Sequence, residues 1–378
     1  MIDRLQAVAR ALAEAAADAV PERLAAALAD EYALADTELY LVDYRLAALL
    51  PLLGDTPVTH PGDAAWRSFD HQSEVLGDGG VTHLPVTARG ERIGVLRVAS
   101  VPGDARARGE LAEIATLVAH ELQAAGAGTD RYRTSARTKR LTLAAEMQWE
   151  LLPGRSRIRP SFSLAGQLEP SYAVRGDSFD WAEHDGKLFL SVLNGMGEGV
   201  QAALLTALAT YAMRNARRAG IGLADQAALA DQAIYALHRG ESYASALMFE
   251  LDLVTGEMLA VDAGSPRLLL LREGTVTEHK LTAQFPLGMF EDTDYRVQSF
   301  TLRPGDRLMI VSDGVTDALT GTGRYGDAAL ARFVRHTGSL APLQAVRSLL
   351  GDLRTYLGDA ELEDDAVAVC LDWTGPLP

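Results

Sequence analysis

The pattern of hydrophobic and polar positions over residues 1–125 predicts a small α+β domain. Residues 2–30 carry alanine and leucine at helical spacing, with a break expected near Pro21. Strand-like apolar runs and a further helix follow, separated by turn-forming residues. The predicted strands cover 38–43, 45–52, 82–87 and 92–100, a loop covers 53–63, and the predicted helix covers 107–125.

A change of pattern after residue 125 predicts a helical linker over residues 126–155. Gly126 and Gly128 interrupt the preceding helix, and a basic run at 131–140 follows. A second amphipathic helix then runs to Pro153-Gly154. The two helices, at about 108–125 and 136–152, either pair with a second copy of themselves, which predicts a homodimer, or cover their own domains. The first apolar stripe consists of Leu111, Ile114, Ala115, Val118 and Leu122, and the second of Leu141, Ala144, Ala145, Gln148, Leu151 and Leu152.

Residues 156–378 show short apolar runs bounded by turns, with a few helical blocks between them. Because most runs are separated by tight turns rather than helices, the pattern predicts an α+β domain built on antiparallel sheets. The predicted strands cover 188–193, 245–253, 257–262, 267–271, 307–312 and 366–373, and the predicted helices cover 200–218, 224–239 and 340–357.

Composition narrows the class of protein. A chain of 378 residues with 48% hydrophobic residues is long enough for two domains with full cores. The net charge of −16 argues against a nucleic-acid backbone as the partner. No apolar run has the length of a membrane span and no signal-peptide pattern is evident, so a cytoplasmic protein is expected. Cys370 is the single cysteine, which excludes a disulfide framework.

Four distant stretches carry candidate chemistry, and each is interpreted as an apolar, strand-like run that ends in an acidic or glycine-rich turn. They read R-G-D-S-F-D at 175–180, N-G-M-G-E-G at 194–199, S-D-G-V at 312–315 and E-D-D at 363–365. Each alone is an ordinary turn, but Asp177, Asp313 and Asp364 together would suit a hard divalent cation. The second stretch has Asn194 where a fourth carboxylate would be expected.

The order of these stretches resembles the metal-dependent protein serine/threonine phosphatases of type 2C, in their bacterial SpoIIE-like branch. The resemblance covers about 220 residues. The matching segments are Leu151-Leu152-Pro153, Arg175–Asp180, Asn194–Gly199 with Ala202-Ala203, Ala263–Pro266, Pro286–Gly288, Pro304–Asp306, Ser312–Ala318, Tyr325-Gly326 and Asp364-Asp365.

The resemblance implies a fold and a site. The fold is a sandwich of two antiparallel sheets flanked by helices, with a two-metal site for Mn²⁺ or Mg²⁺ at one edge. Water would then hydrolyse a phosphoserine or phosphothreonine. By resemblance, position 194 bridges the two metals and the Gly195 carbonyl supports one of them. Asp313 and Asp364 hold the other ion, and Asp177 acts partly through water.

Departures from the family pattern weaken this expectation. Asn194 offers a neutral oxygen and cannot bridge two dications as a carboxylate does. Arg175 brings a positive charge in place of a glycine, and Ser265 stands in place of a histidine. Glu198 also replaces a histidine, and either restores a carboxylate or is a solvated turn residue. We therefore expect one weakly held ion, with Asp177 and Asn194 as catalytic positions.

Three functions follow as hypotheses. The first is a regulatory phosphatase acting on an anti-sigma-factor antagonist of the STAS type or a similar phosphoprotein. The second is a catalytically inactive relative that docks a phosphoprotein or an anti-sigma factor and signals by binding. The third is a ligand sensor with a structural C-terminal domain. The length, element order and position of residues 1–125 are similar to a GAF-type sensor domain, whose ligand the sequence does not name.

Overall fold

The chain divides into two compact units, which the computed structural model describes over residues 3–99, 105–171, 174–264, 266–320, 323–358 and 362–376. Unit 1 comprises Met1–Arg140 and unit 2 comprises Leu141–Pro378. The boundary therefore lies inside the segment expected from the sequence to be a helical linker.

Unit 1 is a five-stranded antiparallel sheet with helices packed on it, in the strand order β2-β1-β5-β4-β3. Its helices are α1 (Arg4–Ala13), α2 (Val20–Tyr32), α3 (Ala64–His71), α4 (Ala105–Ala125) and α5 (Arg131–Ser135). Its strands are β1 (Thr37–Val42), β2 (Leu49–Pro51), β3 (Val75–Leu76), β4 (Val81–Ala88) and β5 (Glu91–Ala99).

In unit 1 the structure confirms the helix break expected near Pro21 and shows that one predicted strand is too long. The first helical segment breaks before Pro21, which lies in the first turn of α2, where its missing N–H leaves no hydrogen bond unmade. The strand expected at 45–52 shortens to β2 because a turn occupies its first half. In that turn Asp43 accepts hydrogen bonds from the backbone N–H groups of Ala47 and Ala48, and Leu46 adopts a positive φ.

The apolar stripe of α4 forms part of the core of unit 1. Leu111 and Val118 are 1% and 0% exposed, and they pack with residues of α1, α2 and the sheet. The stripe is therefore covered within its own unit, as in the second of the two alternatives. These side chains are therefore not available to a homodimer seam, and a charged residue at either position would disrupt the core.

The described part of unit 2 contains a five-stranded sheet, a six-stranded sheet, the short strand pair β16–β17 and six α-helices. One sheet has the order β14-β11-β10-β9-β8 and the other β13-β12-β15-β18-β7-β6. The strands are β6 (Ser156–Ile158), β7 (Phe162–Glu169), β8 (Asp177–His184), β9 (Lys187–Gly195), β10 (Ala244–Asp252), β11 (Glu257–Ala263), β12 (Arg267–Arg272), β13 (Thr275–Glu278), β14 (Gln298–Thr301), β15 (Arg307–Val311), β16 (Leu319–Thr320), β17 (Gly323–Arg324) and β18 (Ala366–Trp373). The helices are α6 (Leu143–Leu151), α7 (Gly199–Arg218), α8 (Leu223–His238), α9 (Asp313–Thr316), α10 (Ala331–His336) and α11 (Pro342–Leu357).

The two sheets of unit 2 meet face to face, which confirms the expected sandwich. Gly166 on β7 leaves room for two aromatic rings of β8, since a Cβ there would lie 2.8 Å from Phe179 and 3.0 Å from Trp181. These two rings stack with centroids 5.1 Å apart. Helices α7 and α8 pack on the sheet that contains β9 and β10, and α11 packs against β7 and β18.

The sequence reasoning missed β7 and β8 because buried polar residues interrupt their apolar pattern. Two of these residues have charged partners from distant helices. Asp180 on β8 pairs with Arg214 and Arg217 of α7, and Glu169 on β7 accepts a hydrogen bond from Arg354 of α11. The polar positions thus belong to the interior, where paired charges are tolerated.

Helix α6 is shorter than predicted. Its N-cap is Thr142, whose side chain accepts a hydrogen bond from the N–H of Ala145 at 3.2 Å, so residues 136–142 are not helical. Ala144 and Ala145 pack against Val174 and against Ala203 of α7, so α6 also covers its own unit. No helix among the described residues combines the length and the hydropathy that a membrane crossing requires.

Candidate functional site

The four motif segments converge at one edge of the sandwich in unit 2. Asp177 begins β8, and Asn194 lies at the end of β9 directly opposite Asp177 in the antiparallel register. Asp313 follows β15, and Asp364 precedes its neighbour β18. In antiparallel sheets the start of one strand and the end of the next share an edge. Two of the acids therefore begin strands rather than end them, which corrects the reading of all four segments as runs that end in a turn.

The side chain of Asn194 contacts Asp313 directly. The Asn194 amide N–H donates to Asp313 Oδ1 at 2.8 Å. This hydrogen bond joins the two sheets, because β9 and β15 belong to different ones. At position 194, where the family resemblance implies an oxygen that bridges two metals, the side chain instead donates a hydrogen bond.

Asp365 organises the polypeptide around the site. It is fully buried, and its carboxylate accepts hydrogen bonds from the Gln148 side chain at 2.6 Å and from the N–H groups of Arg175 and Gly176 at 2.7 and 3.1 Å. The N–H and hydroxyl of Ser171 add two more, at 2.8 and 2.9 Å. The loop before Asp177 is thereby fixed to the start of β18.

Small residues let the four segments approach closely. A Cβ on Gly314 would lie 1.8 Å from the Asp365 carbonyl oxygen, so α9 can begin only with glycine at that position. Gly176 has a φ of +89°, and its carbonyl accepts hydrogen bonds from the Thr206 hydroxyl and the Gly195 N–H. The expected metal-supporting residue Gly195 is thus buried between β8 and α7.

Asp177 is completely buried, and neither carboxylate oxygen has a hydrogen-bond partner among the described residues. Burial raises the pKa of its carboxyl well above the usual value, and the negative charge of Asp365 raises it further. Asp313 and Asp364 act in the same direction, while the nearby Ser312 hydroxyl opposes them. The Gln148 side chain also donates to the Asp177 carbonyl at 3.0 Å, which holds the start of β8.

The remaining acids and Arg175 form a mixed charge cluster. Burial, followed by the charge of Asp313, raises the pKa of Asp364 to about 6, and the positive charge of Arg175 opposes this shift. Desolvation by the surrounding protein raises the pKa of the Asp313 carboxyl, although part of the side chain remains exposed to solvent. The Asn194 amide and the Gly314 N–H partly offset that effect. Arg175 therefore stands near Asp364.

The described residues do not form a ready two-ion centre. The unpartnered oxygens of Asp177 and the nearby Asp364 are hard donors of the kind that Mg²⁺ and Mn²⁺ prefer. However, Asn194 presents an N–H to Asp313 in place of a bridging carboxylate. Across the described ranges, no group of three or more histidine, cysteine, aspartate or glutamate side chains is arranged to hold a metal ion.

The structure decides one of the departures from the family pattern, at Glu198. Glu198 is exposed and stands at the N-cap of α7 without capping it through its side chain, as in the solvated-turn alternative. Ser265 lies outside the described residues. The binding roles assigned from the sequence to Asp177, Gly195, Asp313 and Asp364 stay predictions, although the structure brings their segments together.

Sequence reasoning missed the contributions of Asp365 and Gln148. Asp365 lies directly before β18, a strand that is apolar on both faces, which signals that the Asp365 side chain is buried too. Gln148 is a polar residue on the apolar stripe of α6, and a buried amide needs a partner. No feature of the sequence indicated that Thr206 of α7 would contact the Gly176 carbonyl.

Comparisons with known proteins agree with this geometry. Residues 184–374 match the family described as Stage II sporulation protein E (SpoIIE). The phosphoserine phosphatase RsbP of Bacillus subtilis (strain 168) is 25% identical over 166 residues, which is 42% of this chain and 41% of RsbP. The chain thus spans about two fifths of that relative. The phosphoserine phosphatase RsbU of the same organism is 20% identical over 232 residues, 61% of this chain and 69% of RsbU.

The fold also matches a solved structure. The PP2C phosphatase domain of SpoIIE from Bacillus subtilis, solved with a fragment of its regulatory domain, superimposes with a TM-score of 0.51 at 20% identity. The match covers 58% of this chain and 64% of that one. Since the matched family segment contains β9, β15 and β18 with Asn194, Asp313 and Asp364, the chain belongs to the SpoIIE family and has the PP2C phosphatase fold.

Proposed function

We propose that this protein is a regulatory serine/threonine phosphatase with a weakened metal site. Its substrate would be a small phosphoprotein of the anti-sigma-factor antagonist type, with a STAS-type antagonist or an anti-sigma factor as partner. The observation that carries the proposal is the convergence of Asp177, Asn194, Asp313 and Asp364 at one sheet edge in a chain of the SpoIIE family. The two curated relatives, both phosphoserine phosphatases, support the same reaction class.

In this proposal the residues of the chain position a phosphate group and keep the site rigid. Asp365 and Gln148 fix the backbone before Asp177, so the acids keep their spacing when a substrate arrives. Arg175 offers a positive charge near Asp364 for an anionic phosphate. A divalent ion, Mn²⁺ or Mg²⁺, would supply further positive charge beside the phosphate when bound.

A second candidate function is favoured by a specific contact. The Asn194–Asp313 hydrogen bond satisfies Asp313 without metal and joins the two sheets. A protein with this arrangement can recognise a phosphoprotein without hydrolysing it. The alternative is therefore an inactive phosphatase-like module that signals by docking.

Further parts of the proposal concern the surroundings of the site. A GAF-type sensor role for unit 1, a homodimer and a cytoplasmic location belong to it as expectations from the sequence. A homodimer would have to use a surface other than the stripes of α4 and α6, which are covered within their units.

The test is hydrolysis of p-nitrophenyl phosphate and of a phosphoserine peptide across a titration of Mn²⁺. The proposal predicts slow hydrolysis that depends on Mn²⁺ and is lost in Asp313→Asn. Asp185→Asn is the matched control, because Asp185 is exposed in the turn between β8 and β9, at the opposite end of these strands from Asp177 and Asn194. Absence of hydrolysis in the wild-type protein, together with binding of the phosphopeptide, would favour the docking module.

A further inference from the structure

An aromatic pair projects from the loop between β13 and β14. Phe285 and Phe290 are 57% and 47% exposed, and their rings meet edge to face with centroids 4.8 Å apart. Two neighbouring exposed phenylalanines are unusual on a protein surface, because each large ring left in water forgoes the free energy of burial.

The loop that carries this pair is held in place by side chains at its base. Gln284 and Arg296 exchange two hydrogen bonds, in which the Gln284 amide donates to the Arg296 carbonyl at 3.0 Å and accepts from the Arg296 N–H at 2.6 Å. The Gln298 amide makes the same kind of double contact with the backbone of Thr282, at 2.7 and 3.0 Å. These two pairs of side-chain hydrogen bonds take the place of the backbone–backbone hydrogen bonds that would join the two sides of a β-hairpin.

A buried acid fixes the middle of the same loop. Asp231 of α8 is 1% exposed and accepts hydrogen bonds from the Gly288 N–H at 2.7 Å and from the Tyr295 hydroxyl at 3.1 Å. Gly288 packs so closely on α8 that a Cβ would lie 2.1 Å from Ile234. The loop therefore presents the two phenylalanines from an ordered base.

The loop adjoins the candidate site. Leu287 exchanges two backbone hydrogen bonds with Ala244, at 2.8 and 3.0 Å, and Ala244 is the register partner of Gly195 on β9. Leu287 and Gly195 thus lie on either side of one strand, about 10 Å apart by strand spacing. A protein segment whose phosphorylated side chain reaches Asn194 would pass the aromatic pair within a few residues.

The charges beside the pair are mainly acidic. Glu291, Asp292 and Asp294 are exposed, and Arg296 lies 4.0 Å from Asp294. Within the described part of the chain, neither Glu291 nor Asp292 has an ion-pair partner. A partner that covers the pair gains from lysine or arginine side chains at these two positions.

We propose that the Phe285–Phe290 pair and its acidic rim dock the phosphoprotein substrate, through a segment with an apolar side chain flanked by basic ones near the phosphorylated residue. This inference rests on the proposed function and specifies its substrate class. Specificity would then come from the loop, while the acids of the site act on the phosphate.

The proposal is tested with fluorescein-labelled synthetic 11-residue peptides centred on serine or phosphoserine. One set carries a leucine and three lysines within four residues of the centre, a second replaces the lysines by glutamates, and a third replaces the leucine by alanine. Binding is measured by fluorescence anisotropy in EDTA at low salt. We expect the leucine–lysine peptide to bind about tenfold more tightly than either other set, with or without phosphate.

Two variants of the protein test the loop itself. The double variant Phe285→Ala/Phe290→Ala should lose the preference for leucine. The triple variant Glu291→Lys/Asp292→Lys/Asp294→Lys should reverse the preference for lysine over glutamate, and it changes only exposed side chains. Val254→Ala is the matched control, because Val254 is 70% exposed and lies in the turn at the opposite end of β10 from Ala244.

Equal binding of the three peptide sets by the wild-type protein would overturn the proposal, as would preferences that persist in both loop variants. Hydrolysis of p-nitrophenyl phosphate, measured separately, distinguishes this failure from failure of the proposed function. Peptide preference without hydrolysis would support the docking surface and contradict the proposed phosphatase activity. Hydrolysis without peptide preference would support the phosphatase activity and contradict the docking surface.

Discussion

The amide N–H of Asn194 donates a hydrogen bond to Asp313 across the two sheets of the sandwich, at 2.8 Å. A carboxylate at position 194 would repel Asp313 in the absence of a cation, whereas the amide attracts it. We therefore expect the amide to stabilise the metal-free site and to weaken its affinity for a second ion.

Metal stoichiometry is the first consequence. We expect this protein to bind no more than one Mn²⁺, held weakly by Asp313 and Asp364, because no bridging carboxylate offsets the repulsion between two dications. Counting free Mn²⁺ by electron paramagnetic resonance at millimolar metal measures this directly. Two bound ions per chain with spin coupling, as at the usual spacing of roughly 3.5–4 Å, would contradict the expectation.

Removal of Asp365 should destabilise unit 2 strongly. Asp365→Ala leaves the buried N–H groups of Arg175 and Gly176 without an acceptor, which we expect to cost about 3–5 kcal/mol in the free energy of unfolding. Urea unfolding followed by tryptophan fluorescence reports mainly on unit 2, because Trp149, Trp181 and Trp373 belong to it.

The control for this measurement is Glu363→Ala. Glu363 is exposed and lies two residues earlier in the chain, so its removal should change stability by no more than about 0.5 kcal/mol. Similar unfolding curves for the two variants would show that the hydrogen bonds of Asp365 do not hold the site together.

Stability without metal should fall as the pH rises from about 4 to about 6. The pKa of Asp364 is raised from 3.8 to about 6, so the folded state keeps a proton that the unfolded chain has lost in this range. This contribution is complete below the unfolded pKa and disappears as the pH passes the folded one. In EDTA, the melting temperature of the wild type should fall about 2–5 °C more than that of Asp364→Asn over this range.

The same titration governs metal affinity in the opposite direction. Only the carboxylate form of Asp364 binds a cation, so Mn²⁺ affinity should rise with pH through about 6. For the stability prediction, an equal pH dependence of the melting temperature in the wild type and Asp364→Asn in EDTA would show that the pKa of Asp364 is not raised in the folded state.

The sequence predicted the meeting of the four motifs but not their contacts. Turn signals and apolar runs place Asp313 after β15 and Asp364 before β18, and antiparallel pairing then brings them to one edge. Nothing in the sequence says that Asn194 turns its N–H toward Asp313, because the choice depends on which neighbours lie within hydrogen-bonding distance in the folded chain.

Burial explains the other differences between sequence and structure. The stripe on α4 reads alike whether it faces a second copy or its own core, and only the packing with α1 and α2 decides between them. Asp180 interrupts the apolar pattern of β8, yet Arg214 and Arg217 of α7 neutralise it from 34 and 37 residues away. Long-range pairing of this kind leaves no local signal.

The most direct test of the account is the phosphatase activity of Asn194→Asp at saturating Mn²⁺, with p-nitrophenyl phosphate as substrate. Asn215→Asp is the matched control, because Asn215 is exposed on α7 and the chain has no other asparagine besides these two. Restoring the bridging carboxylate should raise kcat/KM at least about tenfold, with no change in the control. An unchanged or lower kcat/KM in Asn194→Asp would contradict the account, and would show that Asn194 does not limit the metal site.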